Sequence, residues 1–426
     1  MLFLTNLEVP VVTTAVITIA GELGGFDNAG WVLASYLLGY VAVIVICAKF
    51  SDILGRKFVF LSSIIVFIIF SAACGAAQTM NQLVPMAIPA FILALVAIPK
   101  NFPHQGRPIL ETAERIPISK SMRRLDIPGT ALIFLATLAL TSAFEEADKT
   151  FAWNSAYVIT LLSASAIMWA VLVVWERHVT IANTIREPIL PWTFLKSRQM
   201  MGILLNFVFL GGPTIISMFI IPQRFQVAYG YSGLDAGVRL LPFTLALPAG
   251  SICASRIAGK LKVPPLFLLL AGSCLQITGF ALLGTLPFTH EAPAGIFGYQ
   301  IIAGWGCGMN FSLLFVMIPF VIEKKYLAVG MGAGAQFRMI GSAMILAVST
   351  SVFNSYARQH LQAYTGLSDI GAAIGASLAS LSPEVQDEIR RVVSDAYNHQ
   401  TLVLCASSVL QIPCSLMMWK KKQLVI

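Results

Sequence analysis

Residues 264–285 read PPLFLLLAGSCLQITGFALLGT, 22 positions without a charged side chain. A bilayer core of about 30 Å takes about 20 helical residues per crossing, so this run is long enough to span. It is also too uniformly apolar for the alternating strands of a membrane barrel. Working outward, comparable runs occupy 234–254, 199–222, 155–175, 128–146, 83–99, 58–78, 31–50 and 2–20 on one side, and 295–319, 328–351 and 399–418 on the other. That predicts about twelve transmembrane helices in an all-α polytopic membrane protein. Composition agrees: 57% of the 426 residues are apolar, 11% are charged and the mean hydropathy is +0.80. Soluble domains carry about a quarter charged residues, so a soluble enzyme is excluded.

Orientation follows from the basic residues, because short loops rich in Lys and Arg stay cytoplasmic. With the N-terminus inside, the segments around 49–57, 100–124, 177–198, 256–262, 324–325 and 420–422 hold 21 of the 28. The net charge of +8 is then largely a topology signal, and no nucleic-acid partner is expected. The seven cysteines lie in or beside apolar runs without Cys-x-x-Cys spacing, and the five histidines are scattered. Neither a metal site nor a disulfide framework is indicated, and no cofactor is expected. Met1-Leu2-Phe3-Leu4 lacks a basic n-region, and Glu8 interrupts the apolar run, so the start reads as the first crossing and not as a secretory signal.

Two connections are long. Residues 100–127 form a basic segment rich in proline, suited to a cytoplasmic linker. Residues 352–398 are expected outside; there Ser382-Pro383-Glu384 reads as an N-cap, a first-position proline and a first-turn acid. Val385, Ile389, Val392, Val393 and Ala396 then share one face, which predicts a short amphipathic helix on the outer surface whose role is packing.

The turn between the second and third crossings reads Ala48-Lys49-Phe50-Ser51-Asp52-Ile53-Leu54-Gly55-Arg56-Lys57. An acid at a helix start meets the helix dipole, a glycine lets helix ends approach, and Arg-Lys bridges to carboxylates or helix C-termini. Such a cluster can latch the cytoplasmic side, or it can serve only as a positive-inside anchor. The stretch resembles the Gly-x-Leu-x-Asp-x-x-Gly-Arg-Lys loop of the major facilitator superfamily, with Ala48 in place of the first glycine. The segment from Leu7-Glu8-Val9-Pro10 through Gly21-Glu22-Leu23-Gly24-Gly25 to Trp31 is similar to the opening of its fourteen-span drug:proton antiporters, with Glu8 where aspartate is usual. Ile221-Pro222-Gln223-Arg224-Phe225-Gln226, Ser232-Gly233-Leu234-Asp235-Ala236-Gly237 and Gly330-Met331-Gly332-Ala333-Gly334-Ala335-Gln336-Phe337-Arg338 resemble the fungal branch of that group.

The resemblance implies a two-bundle architecture. Residues 1–99 would be a truncated N-terminal bundle of four spans, 100–127 the linker, 128–198 two linker helices, and 199–426 a C-terminal six-helix bundle with an external loop at 352–398. Two spans of the family's fourteen are missing. Asn81-Gln82-Leu83 resembles the start of its fourth helix, and Val84-Pro85-Met86-Ala87-Ile88-Pro89-Ala90 the later part of its sixth. The family's Gly-Pro-x-x-Gly-Gly motif is lost with them, Gly211-Gly212-Pro213-Thr214 being a partial echo.

Glu8 sits in an apolar run, where an ionisable group is costly; it is the candidate proton-coupling carboxylate, unless it snorkels to the headgroups. Asp52, Gly55, Arg56 and Lys57 are candidates for a cytoplasmic gate. Arg338, well inside a span, serves the gate or the substrate, or ties to helix carbonyls. Asn206, Gln223 and Asn310 are polar groups on apolar helices and candidates for the substrate cavity. Gly304, Gly306 and Gly308 read as close helix packing.

Function follows from the resemblance: a secondary transporter exporting small lipophilic or amphipathic compounds in exchange for protons, with a midplane site between two bundles. The alternative is a shortened membrane protein that moves nothing. No P-loop is present, so ATP drive is not expected. The partners are a small-molecule substrate, protons and membrane lipids, and the protein is expected to be a plasma-membrane monomer and not an enzyme. The basic asymmetry makes a checkable prediction: a cysteine at position 370 reacts with an impermeant reagent added outside, and one at position 115 does not.

Overall fold

The computed structural model describes residues 126–147, 151–181, 188, 191–323, 326–365, 383–421 and 423. Among the described residues eight helices are long and apolar enough to cross a membrane, and no strand is formed. The expected crossings from 128 onward are all found, and those from 2 to 99 lie outside the described residues.

Two helices come first, α1 (Ile127–Glu146) and α2 (Ala156–Ile181). Asp126 caps α1, accepting from the Gly129 amide at 3.1 Å. The same carboxylate accepts from Trp175 Nε1 at 2.9 Å, and Ser165 Oγ donates to Ala136 O at 2.8 Å, so polar bonds join the pair at two levels. Ile159, Ile167, Val171 and Val174 of α2 face outward. An exposed apolar face of that kind belongs against lipid. The pair rests on the remaining bundle where Trp169 packs edge-on to Phe337, ring centroids 6.2 Å apart.

The next crossing is built from α4 (Arg198–Gly211), a π turn at Gly212–Ile216 and α5 (Ser217–Val227), preceded by the short α3 (Trp192–Lys196). The π turn holds Pro213, which has no N–H to offer the Phe209 carbonyl four residues earlier. Phe209 O accepts from Ser407 Oγ at 2.6 Å and Gln411 Nε2 at 3.4 Å, both on another helix. Then follow α6 (Gly233–Lys260), α7 (Pro265–Gly284), α8 (Gly295–Val321), α9 (Leu327–Thr365) and α10 (Pro383–Met417). Ser232 caps α6, accepting from the Asp235 amide at 3.2 Å.

The stretch expected as an outer loop at 352–398 is entered by helix from both sides. The amphipathic helix beginning at Pro383 continues without a break into the last crossing. Between Pro383 and Pro413 there is neither glycine nor proline to stop it; the polar composition of its first turns had set the apolar window's edge too late. Its packing role holds: Ile389, Val392, Val393 and Ala396 are buried with Phe225, Leu286 and Ile296. At the other end of the bundle a second cluster joins Ile203, Phe207, Leu269, Leu313, Ile318 and Met418.

Lipid tails are as apolar as the side chains they meet, so helices associate through close contact and polar bonds. A Cβ added at Gly308 would overlap the Leu247 carbonyl of α6, and one at Gly341 would overlap that of Val208 on α4. The spacing of Gly304, Gly306 and Gly308 thus does place α8 against its neighbours, with Gly304 facing Phe243 O of α6 and Gly306 facing Gly272 O of α7. Because backbone cannot yield as a side chain can, Gly341→Val is expected to cost about 1–3 kcal/mol or more. Gly298, where a Cβ meets nothing within 4 Å, is the control: thermal melting of the purified protein should shift for Gly341→Val and hold for Gly298→Ala.

Candidate functional site

The candidates Glu8, Asp52, Gly55, Arg56 and Lys57 lie outside the described residues, so the site is read from the six crossings that begin at Arg198. Their interior carries a polar network. Asn310 of α8, fully buried, donates through Nδ2 to Ser273 Oγ of α7 and to Gln411 Oε1 of α10, each at 2.9 Å. Gln411 Nε2 donates to Gln276 Oε1 at 2.9 Å, and Gln276 Nε2 returns to Gln411 Oε1 at 3.3 Å and reaches Gly306 O at 3.2 Å. Ser408 Oγ donates to Gln276 Oε1 at 3.3 Å. Asn206 of α4 is tied separately, its Nδ2 donating to Gly202 O at 3.0 Å and its Oδ1 accepting from Ser415 Oγ at 3.3 Å. Both asparagine side chains therefore bond within the C-terminal bundle, and α4, α7, α8 and α10 are joined through their cores.

Arg338 of α9 is half-buried, its guanidinium carbon 5.0 Å from the ring centroid of Phe311 on α8. Phe311 packs on Phe315 at 5.1 Å and Phe315 on Phe207 at 4.6 Å. A cation over an aromatic face gains up to about 2 kcal/mol when desolvated, so Phe311, with the rings packed behind it, stabilises the Arg338 charge.

Gln223 of α5 is half-buried, and it is the next residue, Arg224, that turns fully inward with 4% exposure. Its Nη1 donates to Leu283 O at 3.0 Å and its Nη2 to Ser394 Oγ at 3.4 Å. Sequence reasoning passed over Arg224, Gln276, Gln300 and Gln411. The available signal was a charged or amide side chain within an apolar run, the same signal that singled out Asn206 and Asn310. Among the described residues no group of three His, Cys, Asp or Glu is placed to hold a metal ion.

No protein-family model matches the chain. It is 29% identical to an MFS-type transporter of Fusarium mangiferae named FPY5, over 96% of this chain and 80% of that protein. It is 27% identical to the Multidrug resistance protein 3 of Bacillus subtilis, over 87% of this chain and 82% of that one. Its fold matches the crystal structure of a bacterial homologue of the human lysosomal transporter Spinster, in an inward-facing and unoccupied conformation, with a TM-score of 0.52 at 12% identity over 97% of this chain and 96% of that one. An all-helical chain with eight described membrane-length helices is a multi-pass membrane protein, and over nearly its whole length it is similar to MFS-type transporters. Relatives of this kind point away from enzyme activity.

The amide pair between α7 and α10 makes a prediction. Removing one partner leaves the other unsatisfied in a dry interior, at a cost of about 1–3 kcal/mol, whereas a membrane hydrogen bond itself averages about 0.6 kcal/mol. Gln276→Leu and Gln411→Leu should each destabilise the protein in a denaturant titration. The double variant should lose less than the two together, with a coupling of about 0.5–3 kcal/mol.

Proposed function

We propose that the chain belongs to a proton-coupled efflux system for small lipophilic or amphipathic compounds, drugs or secondary metabolites. The observation that carries the reading is the relationship over nearly the whole chain to a fungal MFS-type transporter and to a protein named for multidrug resistance. The domain division at 99, 127 and 198, the gate at Asp52, Gly55, Arg56 and Lys57, and the coupling role of Glu8 belong to the same proposal. Arg338 with its aromatic neighbours, and Gln223, supply the substrate-facing polar groups. Asn206 and Asn310 serve that surface from behind, by holding the helices that carry it. The protein works as a monomer in the plasma membrane, surrounded by lipid, on protons and a small-molecule substrate.

A second reading is favoured by one observation. The alignment with the Fusarium protein runs over 485 residues, more than the 426 of this chain, so the relative carries stretches without a counterpart here. Two helices lost between Leu83 and Val84 would account for such stretches, and with them would go the balance of two bundles that alternating access requires. In that case the chain inserts and does not transport.

One experiment separates the two readings. Dye export is measured in a pump-deficient host at equal membrane abundance, for this chain and for a version completed between Leu83 and Val84 from the Fusarium relative. Export by both carries the first reading, and export by the completed version alone carries the second. In whichever form exports, Glu8→Gln keeps a hydrogen-bonding shape without titration. It should abolish proton-driven export and leave insertion intact; unchanged export at every pH removes Glu8 from the mechanism.

A further inference from the structure

A small cavity of about 20 Å³ lies between α5, α7, α8 and α10, lined among others by Ser217, Arg224, Gln300 and Thr401. Gln300 is fully buried, and neither its Oε1 nor its Nε2 has a hydrogen-bond partner; Nε of the buried Arg224 has none either. Buried polar atoms are nearly always bonded, to protein or to an ordered water. A space of this size holds one water molecule, which then needs two to four polar partners.

We infer that this cavity is a binding site for a single ordered water molecule that joins Arg224 of α5 to Gln300 of α8. Six of the ten lining residues are apolar, and it is the four polar ones that select the occupant. Arg224 Nε–H and the Gln300 amide nitrogen are donors. Gln300 Oε1 is an acceptor, and so are the Ser217 and Thr401 hydroxyls, whose hydrogens are spent on Pro213 O and Tyr397 O at 2.8 Å each. A water has two hydrogens and two lone pairs, so one molecule accepts from Arg224 Nε–H and donates to Gln300 Oε1, with its second hydrogen left for one of the two hydroxyls. An anion suits Arg224 but would face the lone pairs of Gln300, Ser217 and Thr401, and a cation would face the guanidinium. An apolar group would leave Arg224 Nε and the Gln300 amide unpaired. Arg224 already holds α7 through Leu283 O and α10 through Ser394, so the water extends one cation's reach to α8 and ties this end of the bundle together.

The test is a high-resolution map of the full-length protein, recorded with and without bromide and repeated for Gln300→Leu. The expected result is one peak within hydrogen-bonding distance of Arg224 Nε and the Gln300 amide, no anomalous bromide signal there, and loss of the peak in Gln300→Leu. An anomalous bromide peak in the cavity overturns the inference in favour of an anion. So does an unoccupied cavity with the Gln300 amide turned onto protein atoms, or a peak that persists unchanged in Gln300→Leu. The wild-type map decides even where the variant fails to fold.

Discussion

Inside a bilayer no solvent is present to complete a polar group's hydrogen bonds, and each group left unpaired costs several kcal/mol. The six crossings from Arg198 are organised by that constraint. Pro213 takes an N–H out of the first of them, and the Phe209 carbonyl lying four residues before it receives Ser407 and Gln411 from the last. Gln411 in turn pairs with Gln276 and accepts from Asn310. A break in one helix and a polar residue in another are thus two halves of one arrangement, and neither would be tolerable alone.

The same surroundings remove the usual reason for helices to pack. With no hydrophobic gain on leaving lipid, contact area and polar bonds must hold the bundle, and both are present at one place. Gly306 lets α8 approach the α7 backbone, and its own carbonyl accepts from Gln276. The close approach brings the amides within bonding distance, and the amides hold the approach.

Two arginines show how a charge is accommodated at such depth. Arg224 is held by a carbonyl and a hydroxyl from two neighbouring helices, so both its Nη groups are engaged in structure. Arg338 is half-buried and lies over an aromatic ring, which leaves part of its surface outside the packed core. Of the two, Arg224 has the geometry of a residue that shapes the bundle.

The number and place of the crossings from residue 128 onward were legible in the sequence, as were the tight contacts at Gly304, Gly306 and Gly308. Hydropathy and small-residue spacing are properties of a short window, and a helix in lipid must satisfy them whatever its neighbours are. Pairing is not such a property. Asn310 meets Gln411 across 101 residues and Gln276 meets it across 135; only the packing of α7, α8 and α10 decides that these amides face one another and that Arg224, not Gln223, turns inward. The run from Pro383 to Met417 divides along the same line. Its capping residues announced a helix and its apolar stripe announced a buried face. That the helix continues into the last crossing rested on backbone propensity, which hydropathy does not record.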